Sequence, residues 1–544
     1  MTEVKRVFKV KGNPFFPVGG QSSTSSAYND NESEPAFKAV ELLRGNTLLT
    51  DVYWEQIEPE EGKFDFTSVD NLLASARRHQ IKLILLWFAT WKNANMDYAP
   101  AWVKIDTKRF KRVISPNGKD IWDLSPHCPA NLNADKKAFV AFCQYLKAKD
   151  SKEQTVIGIQ VENEPGILGS DRDYGTEAQS VFDSSVPVKL LDAMKAAGKG
   201  QVYDIWQRAG GKQSGTWPEV FGSSAGEFMT AWSIANYIDS VAQAGKAVYE
   251  IPMYMNVWMM AHPLWSLPGV SYPSGGAVTK VLDLYKWFTP HLDLIAPDIK
   301  SLDSRSYEDM CAAYSRDDNP FFLPETPATV SLFRAIADYN LIGYHRMGGL
   351  ETIIAEDGTV RPDSKIGVDT IRCVAAVTPL IIKFQGTGKI HAVVQEENVQ
   401  QQFLDKLDGY IGQIQFGGGG QRPRFGKDWR HTSADLYSQA SVMVAREQAD
   451  NNRGRGLIIQ ASRDEFYLVG VNYRLFLRPR SASAQTQTKP AYKELESGRQ
   501  VRVDEGHFDH EGEFVVDRRR NGDNISSGLW VEPDIGVLRV ITCD

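Results

Sequence analysis

Two glutamates stand at the ends of short apolar segments of this 544-residue chain. Glu164 closes the segment 158–164 (GIQVENE), and Glu325 follows the segment 320–324 (PFFLP). Both segments have the composition of buried strands. Burying a carboxylate costs free energy unless a partner compensates for it, so a strand that carries one to its own end indicates a functional site.

Two opposed carboxylates can hydrolyse a glycosidic bond. One donates a proton to the leaving oxygen, and the other attacks or stabilises the anomeric carbon. We predict Glu164 as the general acid/base, because burial and a second carboxylate raise the pKa of such a group. We predict Glu325 as the nucleophile, because a strand holds a side chain in position better than a loop does.

The residues beside Glu164 have predicted roles of their own. Asn163 is expected to bind the sugar 2-hydroxyl, a contact that tightens in an oxocarbenium-like transition state. Glu162 has the same strand parity as Glu164 and is expected one layer deeper, as a buried brace. The structural alternatives are a Glu-Pro corner at Glu164 and, for Glu325 taken alone, an ordinary Leu-Pro-Glu-Thr-Pro loop.

A parallel barrel would bring the two carboxylates to one rim. Between about residues 12 and 375, short apolar runs alternate with amphipathic stretches, which is typical of a parallel sheet covered on both faces. The predicted fold is therefore of the α/β class, a (β/α)8 TIM barrel. Its strands are predicted at residues 15–19, 46–52, 83–88, 156–161, 252–257, 292–296, 321–323 and 341–344.

The chain is long enough for a large barrel and one smaller domain. We predict a catalytic barrel over residues 1–380, with a long insertion at about 166–225 after the fourth strand that walls the mouth. From about residue 385, short strands follow one another without crossover helices. Residues 381–544 are therefore predicted to form a smaller antiparallel β-sandwich domain.

Composition excludes several classes of protein. The formal net charge of −7 gives no basic surface for nucleic acid. No apolar run is long enough to span a membrane, and the segment 1–6 lacks the apolar core of a signal peptide. We therefore expect a cytoplasmic protein, although a trimmed mature chain with an added methionine would look the same. The sequence leaves open whether the protein forms a homo-oligomer.

Metals and disulfides are not expected. The five cysteines are scattered without a CxxC pair, which is typical of buried thiols in a reducing compartment. The nine histidines form no cluster at metal-ligand spacing. We predict no cofactor, and a small-molecule or oligosaccharide substrate as the partner.

The Asn-Glu at 163–164 and the Glu at 325 resemble the clan A glycoside hydrolases, which are retaining (β/α)8 enzymes. Segments 51–66, 85–94 and 296–298 resemble β-galactosidases of families 35 and 42. The C-terminal segments 504–508 and 518–523 resemble the small β domain of a bacterial-type branch of family 35, so family 35 is the family that the resemblance predicts. The resemblance implies retaining exo-hydrolysis of β-glycosides, typically β-galactosides, with Glu164 as acid/base and Glu325 as nucleophile.

Further side chains at or beyond strand ends are candidate sugar ligands. Aromatic faces can stack on a pyranose, although core packing is an equal alternative for each ring. Polar groups on the same rim could fix sugar hydroxyls, and Asn256 and Asp298 could equally brace Glu325. The candidates are Trp54, Trp87, Trp91, Tyr254 and Trp258 among the aromatic residues and Asn93, Asn256 and Asp298 among the polar ones.

Basic residues near the predicted nucleophile depart from the family pattern. Lys300, His345 and Arg346 follow or end strands six and eight, which flank Glu325. They could hold the pKa of Glu325 low or bind an anionic part of a substrate, while an ion pair with Asp303 is the plainer alternative. The open alternatives to a β-galactosidase are a β-glucosidase, a transglycosylase of the same mechanism, and a non-catalytic carbohydrate-binding protein.

Overall fold

The computed structural model of the protein contains one eight-stranded parallel sheet and two antiparallel sheets of six and four strands. It describes residues 7–543 except 260–265, 302, 397–398, 400, 417–452, 481–498, 523–524 and 526–527. The eight-stranded sheet and its helices confirm the predicted α/β barrel, and the antiparallel sheets confirm the predicted β region after it.

A short hairpin precedes the barrel. Its strands β1 (Phe8–Val10) and β2 (Asn13–Phe15) pair antiparallel. The ring of Phe8 packs edge-on against Phe322 at 5.3 Å, so the hairpin closes the bottom of the barrel. The first barrel strand was predicted at 15–19 and begins later, because Phe15 belongs to the hairpin and Pro17 has no N–H to donate.

The barrel strands follow in chain order around the sheet. Each pairs in parallel with its neighbours, and the sixth and seventh lie side by side and close the barrel. The strands are β3 (Val18–Gln21), β4 (Thr47–Tyr53), β5 (Lys82–Lys92), β8 (Val156–Asn163), β9 (Met253–Trp258), β10 (Leu294–Asp298), β11 (Leu323–Thr326) and β12 (Tyr344–Arg346), with β6 (Arg112–Ile114) and β7 (Asp120–Leu124) forming a hairpin after β5.

Helices connect the strands and cover the sheet. Four short helices, α6 to α9, lie between β8 and the long helix that leads to β9, and the segment around Ile167 pairs with Ser274 in the loop after β9. The helices are α1 (Asp30–Leu42), α2 (Trp54–Ile57), α3 (Thr67–His79), α4 (Ala101–Ile105), α5 (Pro129–Asp150), α6 (Thr176–Asp183), α7 (Val188–Ala197), α8 (Gln201–Arg208), α9 (Trp217–Phe221), α10 (Ala225–Val248), α11 (Leu282–Phe288), α12 (Ser304–Tyr314), α13 (Leu332–Asp338), α14 (Lys365–Ala376) and α15 (Thr378–Phe384).

The two antiparallel sheets share an apolar core and form a sandwich. The six-stranded sheet contains β13 (Ile390–Val394), β16 (Arg455–Ser462), β17 (Glu465–Val471), β22 (Val537–Cys543), β19 (Arg499–Phe508) and β20 (Phe514–Arg520). The four-stranded sheet contains β14 (Gln401–Leu404), β15 (Tyr410–Phe416), β18 (Tyr473–Pro479) and β21 (Leu529–Val531). The division of the chain at residue 380 stays a prediction, and since that residue lies inside α15 we propose the end of α15 as the boundary.

Strand β16 of the six-stranded sheet is buried on both faces. Ile458 packs in the sandwich core, whereas Leu457 and Ile459 on the same strand pack in the core that continues into the barrel. Arg455, which is 2% exposed, donates a hydrogen bond of 2.8 Å to Thr370 Oγ1 of α14. Double-sided burial explains why β16 is almost continuously apolar.

Two general features complete the description. Four of the five cysteines are buried, whereas Cys543 is exposed, and none forms a disulfide. Within the described part of the chain, every helix falls short of the length or the apolar character that crossing a membrane would require.

The shared core predicts that the barrel depends on the sandwich. Truncation after Gln385 should give insoluble or unstable protein, because α13, α14 and α15 would lose the sheet that they pack against.

Leu457→Ala should lower the free energy of unfolding by about 2–5 kcal/mol, as large-to-small changes in a core do. Val501→Ala, at a position 65% exposed, is the control and should change little. Solubility and denaturant unfolding measure both effects, and a soluble, fully active truncated barrel would contradict this dependence.

Candidate active site

The two predicted carboxylates meet at the carboxyl-terminal rim of the barrel. Glu164 directly follows β8, and Glu325 lies in β11. One carboxylate oxygen of each, together with one of Asp298 at the end of β10, all lie within 4.8 Å of one another. Glu164 is 2% exposed and Glu325 9%, so only a small part of the pair is open to solvent.

The backbone at the end of β8 aims Glu164 into this cluster. Glu162 and Glu164 have φ angles of +63° and +46°, in a region that non-glycine residues seldom adopt. Such strained residues occur mainly at functional sites. In a regular strand, residues two apart point to the same face, and Glu162 was predicted beneath Glu164 for that reason. The two positive φ angles break this alternation.

Glu162 instead lies on the helix side of the sheet. Its Oε2 accepts a hydrogen bond of 2.7 Å from the backbone N–H of Trp91, and its carboxyl group lies against Asp135 of α5. Burial raises the pKa of both carboxyl groups; Asp135 raises the pKa of Glu162 further, whereas the hydrogen bond with Glu162 lowers the pKa of Asp135. Glu162 is a buried brace, as predicted, but on the opposite side of the strand.

Asn256 and Asp298 fix Glu164. The backbone N–H of Glu164 donates to Asn256 Oδ1 at 2.8 Å, and Asn256 Nδ2 donates to Asp298 Oδ2 at 2.8 Å. Both residues are 1% exposed. Bracing was one of two roles predicted for them, but these contacts lead to Glu164, whereas the predicted brace was for Glu325.

Lys300 bridges the two glutamates. Its Nζ lies 3.4 Å from Glu164 Oε1 and 3.2 Å from Glu325 Oε1. The alternative partner predicted from the sequence, Asp303, accepts a hydrogen bond from the backbone N–H of Ser306 at 2.8 Å, at the start of α12. The ion pair with Asp303 is therefore wrong, and Lys300 belongs to the carboxylate cluster.

The Lys300 ammonium contradicts the expectation that the pKa of Glu164 is raised. Burial alone would raise the pKa of Glu164, but the charges of Lys300 and Lys92 lower it below its ordinary value. Burial raises the pKa of Asp298 well above its ordinary value, and Glu325 and Glu164 raise it further. Burial would lower the pKa of Lys300, but the carboxylates raise it.

The three carboxyl groups form the one set among the described residues whose spacing could hold a metal ion. Carboxylate oxygens suit hard cations such as Mg²⁺ or Ca²⁺. The Lys300 ammonium already contacts two of the three groups, so the positive charge that this cluster requires is supplied by the chain itself.

The other two basic residues predicted near Glu325 are buried. His345 is fully buried, packs edge-on against Phe322, and has its pKa lowered by burial to about 3, so it is neutral. Arg346 is 1% exposed within β12. The predicted role of Arg346 as a ligand for an anionic substrate group stays a prediction.

Three predicted sugar-stacking tryptophans are core residues. Each is 0% exposed. Trp54 Nε1 donates to Glu58 Oε2 at 3.2 Å, and Trp87 Nε1 donates to Asp135 Oδ1 at 3.0 Å. Trp91 packs edge-on against Tyr237 of α10. Trp87 and Trp91 face the helices rather than the mouth, so a position near a strand end did not suffice to predict a ligand contact.

Of the remaining predicted ligands, Asn93, Asn163 and Trp258 lie at or just beyond strand ends, whereas Tyr254 lies near the start of β9. Both polar atoms of the buried Asn163 amide, and the hydroxyl of Tyr254, lack hydrogen-bond partners among the described residues. Burying such groups unpaired costs free energy, and a sugar hydroxyl would supply the missing partner. Asn93 and Trp258 are partly exposed at the ends of β5 and β9. Sugar contacts of these four residues stay predictions.

Two charged residues were missed. Lys92 at the end of β5 donates to Asn93 Oδ1 at 2.6 Å, and its charge reaches Glu164. Asp51 in β4 is 1% exposed, and burial raises its pKa to about 7 although Lys92 opposes the shift. A lone carboxylate in an otherwise apolar strand is the signal that identified Glu164, and it would have identified Asp51 too.

Comparisons with known families match two parts of the chain. Residues 37–208 match the model of glycoside hydrolase family 42, described as Beta-galactosidase, and residues 371–532 match a domain of unknown function, DUF5597. The first match supports the predicted class of enzyme. It also corrects the assignment to family 35, since the matched family is 42. A comparison with curated protein sequences finds no match.

Solved structures resemble part of this chain at low identity, with TM-scores below 0.5. The β-amylase catalytic domain of Paenibacillus polymyxa is 13% identical, with a TM-score of 0.46 and 64% of this chain and 95% of that chain covered. The β-galactosidases of Marinomonas ef1 and Halorubrum lacusprofundi are 10% and 15% identical, each with a TM-score of 0.46 and 68% of this chain covered. The present chain spans 60% and 59% of their lengths.

The Lys300 bridge predicts a pH-dependent loss of stability in Lys300→Met. Folding lowers the pKa of Glu164, so this group stabilises the fold above its ordinary pKa of 4.5 and loses that contribution as the pH falls through the lower folded value. At neutral pH the substitution should lower the free energy of unfolding by about 1–3 kcal/mol. The difference from the wild type should shrink below pH 4.5.

Denaturant unfolding at several pH values measures this difference. Lys195→Met on α7, where the side chain is 41% exposed, is the matched control and should show no comparable loss. A loss that is equal at neutral and acidic pH would contradict the coupling between Lys300 and the carboxylates.

Proposed function

We propose that the chain is a retaining exo-β-glycosidase that hydrolyses β-galactosides, with Glu325 as nucleophile and Glu164 as general acid/base. The observation that carries the proposal is that one carboxylate oxygen of Glu164 and one of Glu325 lie within 4.8 Å of each other. Retaining glycosidases hold their two carboxyl groups about 5–5.5 Å apart, whereas inverting enzymes leave about 6.5–9.5 Å for a water molecule.

The two carboxylates can divide the reaction between them. Glu325 attacks the anomeric carbon while Glu164 protonates the glycosidic oxygen, and the aglycone leaves. Glu164 then removes a proton from water, which attacks the glycosyl-enzyme and releases the sugar with its configuration retained. The short β11 and the Asn256 contact to the Glu164 backbone hold the two groups in place for both steps.

Lys300 takes part in this cycle by leaving the space between the glutamates. Its ammonium contacts the two oxygens between which the anomeric carbon and the glycosidic oxygen must lie. The side chain is 29% exposed, so it has a path away from the pair when substrate enters. In the free enzyme it offsets the repulsion of two neighbouring carboxylates.

Galactose as the glycone is supported by the match of residues 37–208 to a family described as Beta-galactosidase. Hydrolysis of a panel of aryl β-glycosides that differ only in the sugar tests this part of the proposal. The β-galactoside should have the highest kcat/KM. A preference for the β-glucoside by tenfold or more would overturn galactose as the glycone but leave the retaining mechanism intact.

The two glutamates should respond differently to substitution. Glu325→Ala should abolish turnover of every aryl β-galactoside, because no glycosyl-enzyme can form. Glu164→Ala should keep partial activity on a dinitrophenyl β-galactoside, whose leaving group needs no proton, and added azide should restore turnover as the β-galactosyl azide. Kinetics and the configuration of the azide product measure both effects.

If azide rescued the two variants in the opposite way, the roles of nucleophile and acid/base would be exchanged between Glu325 and Glu164. An α-glycosyl azide formed by the Glu164 variant would assign the nucleophile to Glu164. Asp534→Ala, in the sandwich domain, is a matched loss of a carboxylate away from the rim and should leave kcat/KM unchanged.

A further inference from the structure

The charges of the carboxylate cluster do not balance if all three carboxyl groups are ionised. Glu164, Asp298 and Glu325 each place an oxygen within 4.8 Å of the others, and Lys300 is the ammonium in contact with the two glutamates. Three ionised carboxylates beside the ammonium of Lys300, even with the charge of Lys92 that also reaches Glu164, would leave an uncompensated negative charge in a site that is almost fully buried. Such a cluster keeps one carboxyl group protonated instead.

Asp298 is the member that the contacts select. The ammonium pairs directly with Glu164 and Glu325, whereas Asp298 Oδ2 accepts its hydrogen bond from the neutral amide of Asn256. Asp298 Oδ1 has no N–H or hydroxyl donor among the described residues, and the carboxyl group of Asp298 lies against the carboxylate of Glu164. Two carboxyl oxygens in contact require a shared proton, and with Glu164 held ionised by Lys300 that proton belongs to Asp298.

We propose that Asp298 stores the catalytic proton in the free enzyme and hands it to Glu164 when substrate displaces Lys300 from between the glutamates. This inference rests on the proposed function, because it concerns how Glu164 becomes a general acid. It makes Asp298 a positioning residue that acts through Glu164, in place of the sugar ligand that the sequence predicted.

The proton balance of the cycle is closed. When Lys300 leaves, the negative charge of Glu164 is no longer compensated, and the O–H bond of Asp298 breaks as an O–H bond of Glu164 forms. Glu164 gives this proton to the glycosidic oxygen as the bond from that oxygen to the anomeric carbon breaks. In the second step Glu164 takes a proton from the attacking water and returns it to Asp298, so that each turnover consumes one water and no other reactant.

The groups around Asp298 favour this storage. Glu164 and Glu325 raise its pKa from β8 and β11, and Lys300 is the nearby charge that lowers it. From β9, Asn256 donates a hydrogen bond and Tyr254 contributes a phenol whose pKa burial raises, and from α12 the phenol of Tyr314 behaves in the same way. These phenols stay neutral and do not compete for the role.

The substitution Asp298→Asn keeps the size and the hydrogen bonds of the Asp298 side chain but removes its ability to store a proton. The asparagine can accept the Asn256 hydrogen bond through its carbonyl and donate to Glu164 through its amide, but it cannot transfer a proton in this pH range. We expect kcat/KM for phenyl β-galactoside to fall by about 10²–10³-fold, in the range that general acid catalysis contributes. For dinitrophenyl β-galactoside, whose leaving group needs no acid, the fall should be less than about tenfold.

Asp298→Ala is the paired variant. If Asp298 only holds Glu164 in place, asparagine should restore most of the activity that alanine loses on phenyl β-galactoside, and that result would overturn the proposal. If Asp298 stores the proton, both variants should be equally poor on phenyl β-galactoside and both should keep activity on the dinitrophenyl substrate.

A spectroscopic measurement tests the same point without turnover. The infrared difference between the wild type and Asp298→Asn at neutral pH should contain the carbonyl stretch of one protonated carboxylic acid. The buried acids Glu162 and Asp135 are present in both proteins and cancel. A difference spectrum that shows only an ionised carboxylate would overturn the proposal. Absence of glycosidase activity in the wild type would contradict the proposed function instead, so the two failures can be told apart.

Discussion

The contact of Lys300 with Glu164 and Glu325 is the interaction on which the rest of the site depends. Two carboxylates whose oxygens lie within 4.8 Å would repel each other if both were ionised and unpaired in a buried site. One ammonium lies 3.2 and 3.4 Å from them and offsets this repulsion in the free protein. It thereby also decides where the proton of the cluster resides, and its partial exposure leaves a way out when substrate enters.

The scaffold serves mainly to hold the carboxylates against this ammonium. Three strands, β8, β10 and β11, deliver Glu164, Asp298 and Glu325 to one rim, which is what parallel strands in a barrel allow. Strained backbone at the end of β8 directs Glu164 inwards and Glu162 outwards to Asp135. Beneath the site, Phe8 and Phe322 close the barrel, and behind it the six-stranded sheet covers the helices.

The sequence predicted what depends on local pattern. Apolar runs that end in Glu164 and Glu325 located two strands and the two principal carboxylates, and the change from alternating helices to short strands located the sandwich. It failed where a side chain's direction depends on backbone irregularity or on the neighbouring layer. Glu162 was placed on the wrong side of β8 because positive φ angles break strand parity, and Trp87 was placed at the mouth although it packs on α5.

Long-range charge was harder still to predict. Lys300 was recognised as unusual, but its partners lie far away in sequence, and only the fold shows that it pairs with both glutamates rather than with Asp303. The lowered pKa of Glu164 follows from that pairing. The sequence pointed to family 35, whereas the matching family model is that of family 42; the error arose because segments 51–66, 85–94 and 296–298 resemble both families.

The most direct test of the account is to trap the covalent intermediate. A dinitrophenyl β-galactoside with fluorine at the second carbon of the sugar forms the glycosyl-enzyme but hydrolyses slowly, because fluorine destabilises the oxocarbenium-like transition state. Mass spectrometry of the labelled protein and its peptides should locate one fluorogalactosyl group on Glu325. A label on another carboxylate, or turnover of the unmodified β-galactoside with inversion at the anomeric carbon, would contradict a retaining mechanism with Glu325 as nucleophile.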